Sequence, residues 1–242
     1  MRANYTLARF YVSDELSVAV SVKLSPLQAH KLYSVLRKQA GDALRLFNGR
    51  DGEWQAEITH ISKRDCLVEI KTRLRAQMSV PDIQLLFAPL RKERTRFIVE
   101  KATELGVRAL RPVLTARTQH KVRLEKMRAY IIEAAEQTER LDLPELFETQ
   151  TLAGLVEAWE QGRALLFADE AGGPPAREVL AQTRAPCALL IGPEGGFMDD
   201  ERQLLRDLDF VRPLSLGPRI LRADTATTAT LALWQALSGD WG

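Results

Sequence analysis

Two glycine-proline turns are the stretches of this sequence whose residue types best suit ligand binding. The first, residues 192–196 (Gly-Pro-Glu-Gly-Gly), follows the apolar run Cys187–Ile191, and the second, starting at Gly217-Pro218, follows the run 211–216. Open parallel sheets bind ligands at the carboxyl ends of their strands, where glycine lets backbone amides approach a small molecule. Two such strand ends so close in sequence predict one shared pocket.

The residues around these turns indicate which ligand they suit. Neither turn is a P-loop, since no Gly-Lys-Ser/Thr follows, and neither has the Gly-x-Gly-x-x-Gly spacing of dinucleotide sites. Backbone groups flanked by Leu216, Ile220 and Leu221 suit an adenosine-like ligand that is not bound through a phosphate. The alternative is that the two turns are purely structural and bind no ligand. No catalytic cysteine or Ser-His-Asp arrangement is recognisable, so hydrolysis is not indicated.

The elements that must position these turns alternate between strand and helix in residues 76–242. Such alternation predicts an α/β domain with a mostly parallel sheet covered on both faces. Apart from the two runs above, we expect strands at residues 83–88, 110–114 and 164–167, and helices at residues 93–105, 123–140, 175–182 and from about Thr225.

Residues 1–75 have a different pattern and predict a small β-barrel domain. Short strands are expected at residues 5–11, 18–22, 43–47, 54–61 and 66–71. One helix interrupts them, with Ser25 as N-cap, Pro26 at its first position and Gln28 at its third, and it is expected to reach about Gln39. We expect the domain boundary after residue 75, in a polar stretch that Pro81 closes.

Charge is distributed unevenly along the chain. Residues 1–75 hold 13 Lys and Arg against 8 Asp and Glu, a net +5, whereas residues 76–242 hold 21 against 24, a net −3. Within the second part, residues 91–128 hold 12 basic against 4 acidic side chains, a net +8. Such clusters are expected of a protein that binds a polyanion, and a solvated charged surface is the alternative.

Composition excludes several classes of protein. The chain has 242 residues, 45% of them hydrophobic, and contains no apolar run long enough to cross a membrane and no signal peptide, which predicts a cytoplasmic protein without a membrane partner. Cys66 and Cys187 lie far apart inside predicted strands, and the three histidines lack ligand spacing. No metal site is therefore expected.

Four ordered motifs resemble a known family. Ile191–Phe197 and Leu216–Arg222, together with residues 102–107 (Ala-Thr-Glu-Leu-Gly-Val) and 133–137 (Glu-Ala-Ala-Glu-Gln), closely resemble the bacterial small-subunit ribosomal RNA (uracil-N3) methyltransferases of the SPOUT superfamily. The resemblance covers nearly the whole chain, since residues 30–49 also resemble that family's PUA-like barrel. It implies a SPOUT domain at residues 76–242 with a carboxyl-terminal trefoil knot.

The resemblance also implies a reaction and its partners. S-adenosyl-L-methionine would bind in the knot, and its methyl group would pass to N3 of a specific uridine in the 16S rRNA of the small ribosomal subunit. The protein would be a homodimer. The cofactor contacts carried over by the motifs are Ile191, Gly192, Glu194, Gly195, Gly196, Leu216, Gly217, Ile220, Leu221 and Arg222. Asp169 and Glu170, after the preceding strand, are expected to border the same pocket.

Uracil N3 carries a proton at neutral pH, so the reaction requires that this proton leave. We assign Arg222 to stabilise the uracil anion, or alternatively to shape the turn, and Glu194 or Asp224 to accept the proton. The family usually has Thr-Glu-Thr-Ala where this chain has Ala-Asp-Thr-Ala at residues 223–226. Helix capping is the simpler role for Asp224, and Asp199 is expected to cap the helix after the first turn.

Basic side chains in both charged regions are the predicted RNA contacts. They are Arg9, Lys31, Arg37, Lys38, Arg91, Lys92 and Arg94. Two other functions stay open: a methyltransferase of the same superfamily that acts on transfer RNA or on a ribose hydroxyl, and an inactive ribosome-assembly factor.

Overall fold

The computed structural model describes residues 6–241, and the chain divides into two compact units. The first unit contains the residues up to Ser79 together with Ala135–Leu143. The second unit contains Val80–Ala134 and the residues from Pro144 onward. A boundary placed along the sequence does not anticipate that Ala135–Leu143 belongs to the first unit.

The first unit is built on a five-stranded sheet in the order β1-β3-β4-β5-β2. Its elements are β1 (Arg9–Tyr11), β2 (Ser21–Lys23), α1 (Pro26–His30), β3 (Ala43–Phe47), β4 (Glu53–Ile61) and β5 (Cys66–Arg75). The β1–β3 ladder is parallel and the others are antiparallel. The start of the first predicted strand, at Tyr5, lies outside the described residues.

The helix of the first unit begins as predicted but ends early. The hydroxyl of Ser25 accepts from the backbone N–H of Gln28, and the side chain of Gln28 accepts in return from the N–H of Ser25. Beyond α1 the chain makes one π-helical turn, Lys31–Val35, and the helix stops there rather than near Gln39. The reason is Arg37, whose φ of 52° is left-handed and cannot continue a right-handed helix.

The second unit is built on a seven-stranded sheet in which every ladder among the described residues is parallel. Its strands are β6 (Ile83–Phe87), β7 (Ala109–Leu114), β8 (Glu145–Leu146), β9 (Gln150–Thr151), β10 (Ala164–Ala168), β11 (Cys187–Ile191) and β12 (Val211–Leu214). Its helices are α2 (Lys92–Glu104), α3 (Leu124–Gln137), α4 (Leu152–Glu157), α5 (Ala176–Gln182), α6 (Asp199–Arg206) and α7 (Ala223–Ser238); the last residues of α3 belong to the first unit. The predicted α/β architecture is confirmed.

The sheet order is β12-β10-β11-β6-β7-β8, with β9 paired to β7. β6, β10 and β11 are apolar along nearly their whole length because they lie in the middle of the sheet, covered on both faces. The last helix, α7, packs against α2 and α5. Its Trp234 is fully buried and donates its indole N–H to the carbonyl of Thr183 at 2.9 Å.

Two predicted helix caps are wrong. Helix α7 begins at Ala223, so its N-cap is Arg222, and Asp224 lies inside the first turn. Helix α6 begins at Asp199 with Met198 as N-cap, and the carboxylate of Glu201 accepts from the N–H of Met198 at 3.0 Å. The N-cap position thus lies one residue before Asp199 in α6 and two residues before Asp224 in α7.

Candidate functional site

Three neighbouring strands bring the site together at one edge of the second unit's sheet. β10 lies between β11 and β12, and Phe167 of β10 is paired with both Leu190 and Pro213. Because the strands are parallel and in register, the residues that follow them emerge at the same edge. These are residues 169–170 after β10, the first glycine turn after β11, and the second glycine turn after β12.

The two glycine turns line one cavity, with a volume of about 510 Å³. Nine of the ten predicted cofactor contacts line it: Ile191, Gly192, Glu194, Gly196, Leu216, Gly217, Ile220, Leu221 and Arg222. Gly195 does not, because it faces Arg117, which donates to the Gly195 carbonyl at 2.6 Å. Arg94, predicted as an RNA contact, lines this cavity, as do Asp169 and Glu170.

The first turn is held against the sheet by an aromatic side chain. A Cβ at Gly192 would lie 2.5 Å from the ring of Phe197, so no larger residue fits there without displacing that ring. Phe197 is fully buried and packs edge-on against Phe167, with ring centroids 5.0 Å apart. Gly196 has a left-handed φ of 68°, and its N–H closes the turn on the carbonyl of Pro193 at 2.9 Å. The turn is therefore rigid.

Asp169 and Glu170 tie helix α6 to the cavity wall. Asp169 is buried and accepts from Arg202 at 3.1 Å and from Arg206 at 2.9 Å. Glu170 accepts from Arg202 at 2.7 Å and from the N–H of Phe197 at 3.2 Å. These carboxylates have arginine partners, so we interpret them as supports of the first turn.

The second turn offers backbone donors. Three residues that line the cavity, Leu216, Ile220 and Leu221, have backbone N–H groups that donate to no atom among residues 6–241. Gly217 has a φ of 102°, in the range that favours glycine, and Ile220 is 88% exposed. Free amides beside an uncovered apolar side chain suit a flat heteroaromatic ring, which needs edge hydrogen bonds and a nonpolar face.

Arg94 connects the first turn electrostatically with helix α7, which follows the second turn. It lies in the first turn of α2, which follows β6, the neighbour of β11 in the sheet. Its guanidinium donates to the carboxylate of Glu194 in the first turn and lies 3.9 Å from the carboxylate of Asp224 in α7. The two predicted proton acceptors therefore share one arginine.

Arg222 and Arg219 are cations of the cavity without a partner among residues 6–241, whereas Arg94 is paired with Glu194. Arg222 precedes α7, lines the cavity and is exposed, and its guanidinium makes no hydrogen bond or ion pair to any of the residues that the structure describes. An unpaired guanidinium beside a ligand cavity is available to a developing negative charge.

One predicted RNA contact is wrong. The side chain of Arg9 is 3% exposed, its Nε donates to Glu53 at 2.6 Å, and a terminal nitrogen donates to the carbonyl of Arg140 at 2.6 Å. Burial lowers the pKa of Arg9, and Glu53 opposes this effect without overcoming it. Arg9 therefore holds Ala135–Leu143 within the first unit and has no surface to offer to RNA.

Apart from Arg94, the other predicted RNA contacts are exposed, except Lys38, which is partly exposed. Lys31, Arg37 and Lys38 lie near the end of the first unit's helix, and Arg91 and Lys92 lie at the start of α2. Both cysteines are buried, which raises the pKa of Cys66 to about 11 and of Cys187 to about 12. Within residues 6–241, no cluster of three His, Cys, Asp or Glu side chains is placed to hold a metal, and no helix is long and apolar enough to span a membrane.

Comparison with known proteins assigns both parts of the chain. Residues 77–235 match the model of an RNA methyltransferase domain, and residues 28–71 match that of an RNA methyltransferase PUA domain. The ribosomal RNA small subunit methyltransferase E of Rickettsia conorii is 31% identical over 229 residues, covering 93% of each chain. The protein of that name from Synechocystis is 34% identical over 236 residues, covering 95% of this chain and 77% of its own.

Solved structures agree with these relatives. A Legionella pneumophila protein described as a methyltransferase, solved with bound S-adenosylmethionine, has a TM-score of 0.85 at 34% identity and covers 97% of this chain and 99% of its own. The small subunit methyltransferase E of Neisseria gonorrhoeae, also bound to S-adenosylmethionine, has a TM-score of 0.86 at 27% identity, covering 98% and 100%. The chain belongs to the RNA methyltransferase family and, within it, to the ribosomal RNA small subunit methyltransferase E group.

Proposed function

We propose that this protein transfers a methyl group from S-adenosyl-L-methionine to N3 of a specific uridine in the 16S rRNA of the small ribosomal subunit. The observation that carries this proposal is the cavity between the two glycine turns, with the unpaired guanidinium of Arg222 at its edge. Relatives that share the whole chain are ribosomal RNA methyltransferases, and two similar structures hold the cofactor.

The cavity fits S-adenosylmethionine in size and chemistry. Its volume of about 510 Å³ lies within the roughly 300–1,000 Å³ of small-molecule sites. Leu216, Ile220 and Leu221 offer free backbone amides to the adenine edge and apolar side chains to its faces. The carboxylates of Glu194 and Asp224 place negative charge near a cationic sulfonium. Bound there, the cofactor supplies an electrophilic methyl group.

The protein must turn uracil N3 into a nucleophile. Once the N3 proton leaves, the negative charge spreads over N3 and the two carbonyl oxygens of the ring. We propose that Arg222 donates hydrogen bonds to this charge, because its guanidinium has no partner among the described residues. The rigid first turn holds the reacting groups in line, which accounts for much of the rate in a displacement of this kind.

We propose that the proton acceptor is one of the two carboxylates that Arg94 connects. Glu194 lines the cavity and its side chain is 43% exposed. Asp224 does not line the cavity, but its side chain is 21% exposed and lies 3.9 Å from Arg94, which does. Glu194→Gln and Asp224→Asn preserve shape while removing the basic oxygen. The variant that lowers kcat without raising the Kd for S-adenosylmethionine identifies the base, and two variants with parental kcat would refute the assignment to this pair.

Two further features belong to the proposal. We propose that the carboxyl-terminal part of the chain forms a trefoil knot, in keeping with an edge strand, β12, whose following helix α7 returns to pack on α2 and α5. We also propose a homodimer, for which Phe97 of α2 and Leu233 of α7 supply exposed apolar surface on two helices that pack together. Sedimentation of the purified protein tests the dimer.

The deciding experiment maps the methylated nucleotide. The protein is incubated with labelled S-adenosylmethionine and with small ribosomal subunits that lack the modification, and transfer RNA serves as the parallel substrate. We expect label at N3 of one uridine of 16S rRNA. Label on transfer RNA or on a ribose hydroxyl would overturn the substrate, and failure to bind S-adenosylmethionine would overturn the enzymatic function.

A further inference from the structure

The charged side chains that line a second cavity in the second unit are all basic. The cavity has a volume of about 390 Å³ and lies between the start of α2, the segment 120–123 and the first turns of α3. Its lining includes five side chains that carry or can carry positive charge and no carboxylate: Lys92, His120, Lys121, Arg123 and Lys126. Its remaining walls include the buried Met127 and the half-buried ring of Tyr130.

These cations are not neutralised by the protein. Lys92 has a surface partner in Glu93 at 3.6 Å, but Lys121, Arg123 and Lys126 have no carboxylate within ion-pair distance in the part of the chain that the structure describes. Three exposed, unpaired cations around one concavity repel each other unless an anion binds there. The concavity is therefore built for an anionic ligand.

The second cavity and the cavity of the glycine turns both share lining residues with a third cavity. This third cavity, of about 550 Å³, is lined by Arg91, Lys92, Glu93, Arg94 and Glu194. It shares Arg94 and Glu194 with the cavity of the glycine turns, and it shares Lys92 with the basic cavity. A chain-like anion can thus occupy both cavities at once.

We propose that the basic cavity is a second RNA subsite, which holds a nucleotide near the target uridine along the same strand. Lys121, Arg123 and Lys126 bind the backbone phosphate. Arg96 lies over one face of the Tyr130 ring, 5.1 Å from its centroid, and the base stacks on the other face. An unmodified RNA strand combines phosphate and base, whereas a free anion lacks the base. The inference rests on the proposed function, since it takes RNA to be the substrate.

Removing the three cations tests the phosphate part. The variant is Lys121→Ala/Arg123→Ala/Lys126→Ala, and the matched control, Arg177→Ala/Arg184→Ala/Arg212→Ala, removes three exposed arginines of the same unit that line none of the three cavities. Binding of unmodified small ribosomal subunits is measured over a range of potassium chloride concentrations. We expect the cavity variant to lose roughly 10- to 100-fold in affinity and about 2 from the slope of log affinity against log salt.

The outcomes separate this subsite from the proposed function. The control is expected to lose less than about threefold, and the Kd for S-adenosylmethionine is expected to be parental in both variants. Equal losses in variant and control would reduce the site to general electrostatics and overturn it. A parent that neither binds nor methylates small subunits would instead overturn the proposed function, whatever the variants do.

A second pair of variants tests the stacking part without changing charge. Tyr130→Leu removes the ring and Tyr130→Phe keeps it. We expect KM for small subunits to rise about tenfold in Tyr130→Leu and to stay near parental in Tyr130→Phe. Equal KM values for Tyr130→Leu and the parent, in protein that binds S-adenosylmethionine normally, would remove the base from the proposal.

Discussion

Two arginine sites, one in each unit, have opposite roles. In the first, Arg9, Arg45 and Arg75 converge on Glu53, at 2.6, 3.6 and 2.9 Å, and the first two are nearly inaccessible to solvent. In the second, Arg222 is exposed at the rim of a cavity and has no partner among residues 6–241. Arg94 lies between these extremes, because it is partly exposed and pairs with the carboxylate of Glu194.

The difference shows how to separate structural from functional charge. A buried guanidinium has lost its hydrogen bonds to water, and acceptors of the protein replace them. It therefore stabilises the fold and is unavailable to a ligand. An unpaired guanidinium beside a cavity makes no interaction that stabilises the fold, so removing it should not lower the free energy of unfolding. Burial and pairing, more than residue type, therefore decide which basic residues are candidates for RNA or catalysis.

Among the variants that test this contrast, Glu53→Ala is expected to have the largest effect on stability. Arg45 and Arg75 keep Glu139, at 2.7 and 3.2 Å, but the buried Arg9 loses its carboxylate partner. An uncompensated buried charge of this kind costs about 3–5 kcal/mol. The free energy of unfolding is measured in urea by far-ultraviolet circular dichroism.

Glu69→Ala removes a carboxylate paired with Lys71 on the surface of the same sheet and is expected to cost less than about 1 kcal/mol. Equal losses would mean that the buried cluster does not stabilise the fold.

Arg222→Ala tests the other side of the contrast. Loss of a donor to a developing anion lowers kcat by about 10²–10³-fold, whereas the free energy of unfolding should change by less than about 0.5 kcal/mol for an exposed, unpaired side chain. Methylation of small subunits and urea unfolding are measured on the same protein. Arg212→Ala, an exposed arginine on β12, is the control and should keep parental kcat. Near-normal turnover by Arg222→Ala would remove this residue from the chemistry.

Local patterns predicted much of the second unit. Apolar runs that end at glycine identified β11, the strand before the second turn and their shared cavity, because both signals lie within a few residues of each other. The position of Arg94 was not predictable, because it enters the cavity only through the pairing of β6 with β11, across about a hundred residues of sequence. Pairing between strands so far apart in sequence has no signature in the residues around either strand.

The burial of Arg9 was unpredictable for the same reason. Its acceptors are Glu53, 44 residues away, and the carbonyls of Ala135 and Arg140, 126 and 131 residues away. A basic residue in a short strand has the same sequence signature whether it faces solvent or a buried carboxylate. The net positive charge of residues 1–75 therefore overstated the surface available to RNA.

Gly192→Ala tests whether packing against Phe197 holds the first glycine turn in place. The added Cβ meets the ring of Phe197 at 2.5 Å, and overpacking of this kind costs about 1–3 kcal/mol. We expect weaker binding of S-adenosylmethionine in calorimetry together with lower stability. The double variant Gly192→Ala/Phe197→Leu makes room for the Cβ and should lose less than the sum of the single changes. Strict additivity would show that the turn is not held by Phe197.

The smallest expected effect is a pH dependence that belongs to the first unit alone. Burial raises the pKa of Glu53, but hydrogen bonds from Arg75 and Arg9 outweigh it, and the net pKa lies below the ordinary value of 4.5. A carboxyl with a depressed pKa stabilises the folded state fully above its unfolded pKa, and this contribution is lost as the pH falls through the folded pKa. The difference in unfolding free energy between the parent and Glu53→Gln should therefore be constant at roughly neutral pH, from about 6 to about 8. It should shrink below about pH 4.5. Urea unfolding of both proteins across this range checks it. A difference that stays constant into acid would mean that Glu53 holds its arginines through shape and neutral hydrogen bonds, and the contrast between the two units would then rest on burial without charge.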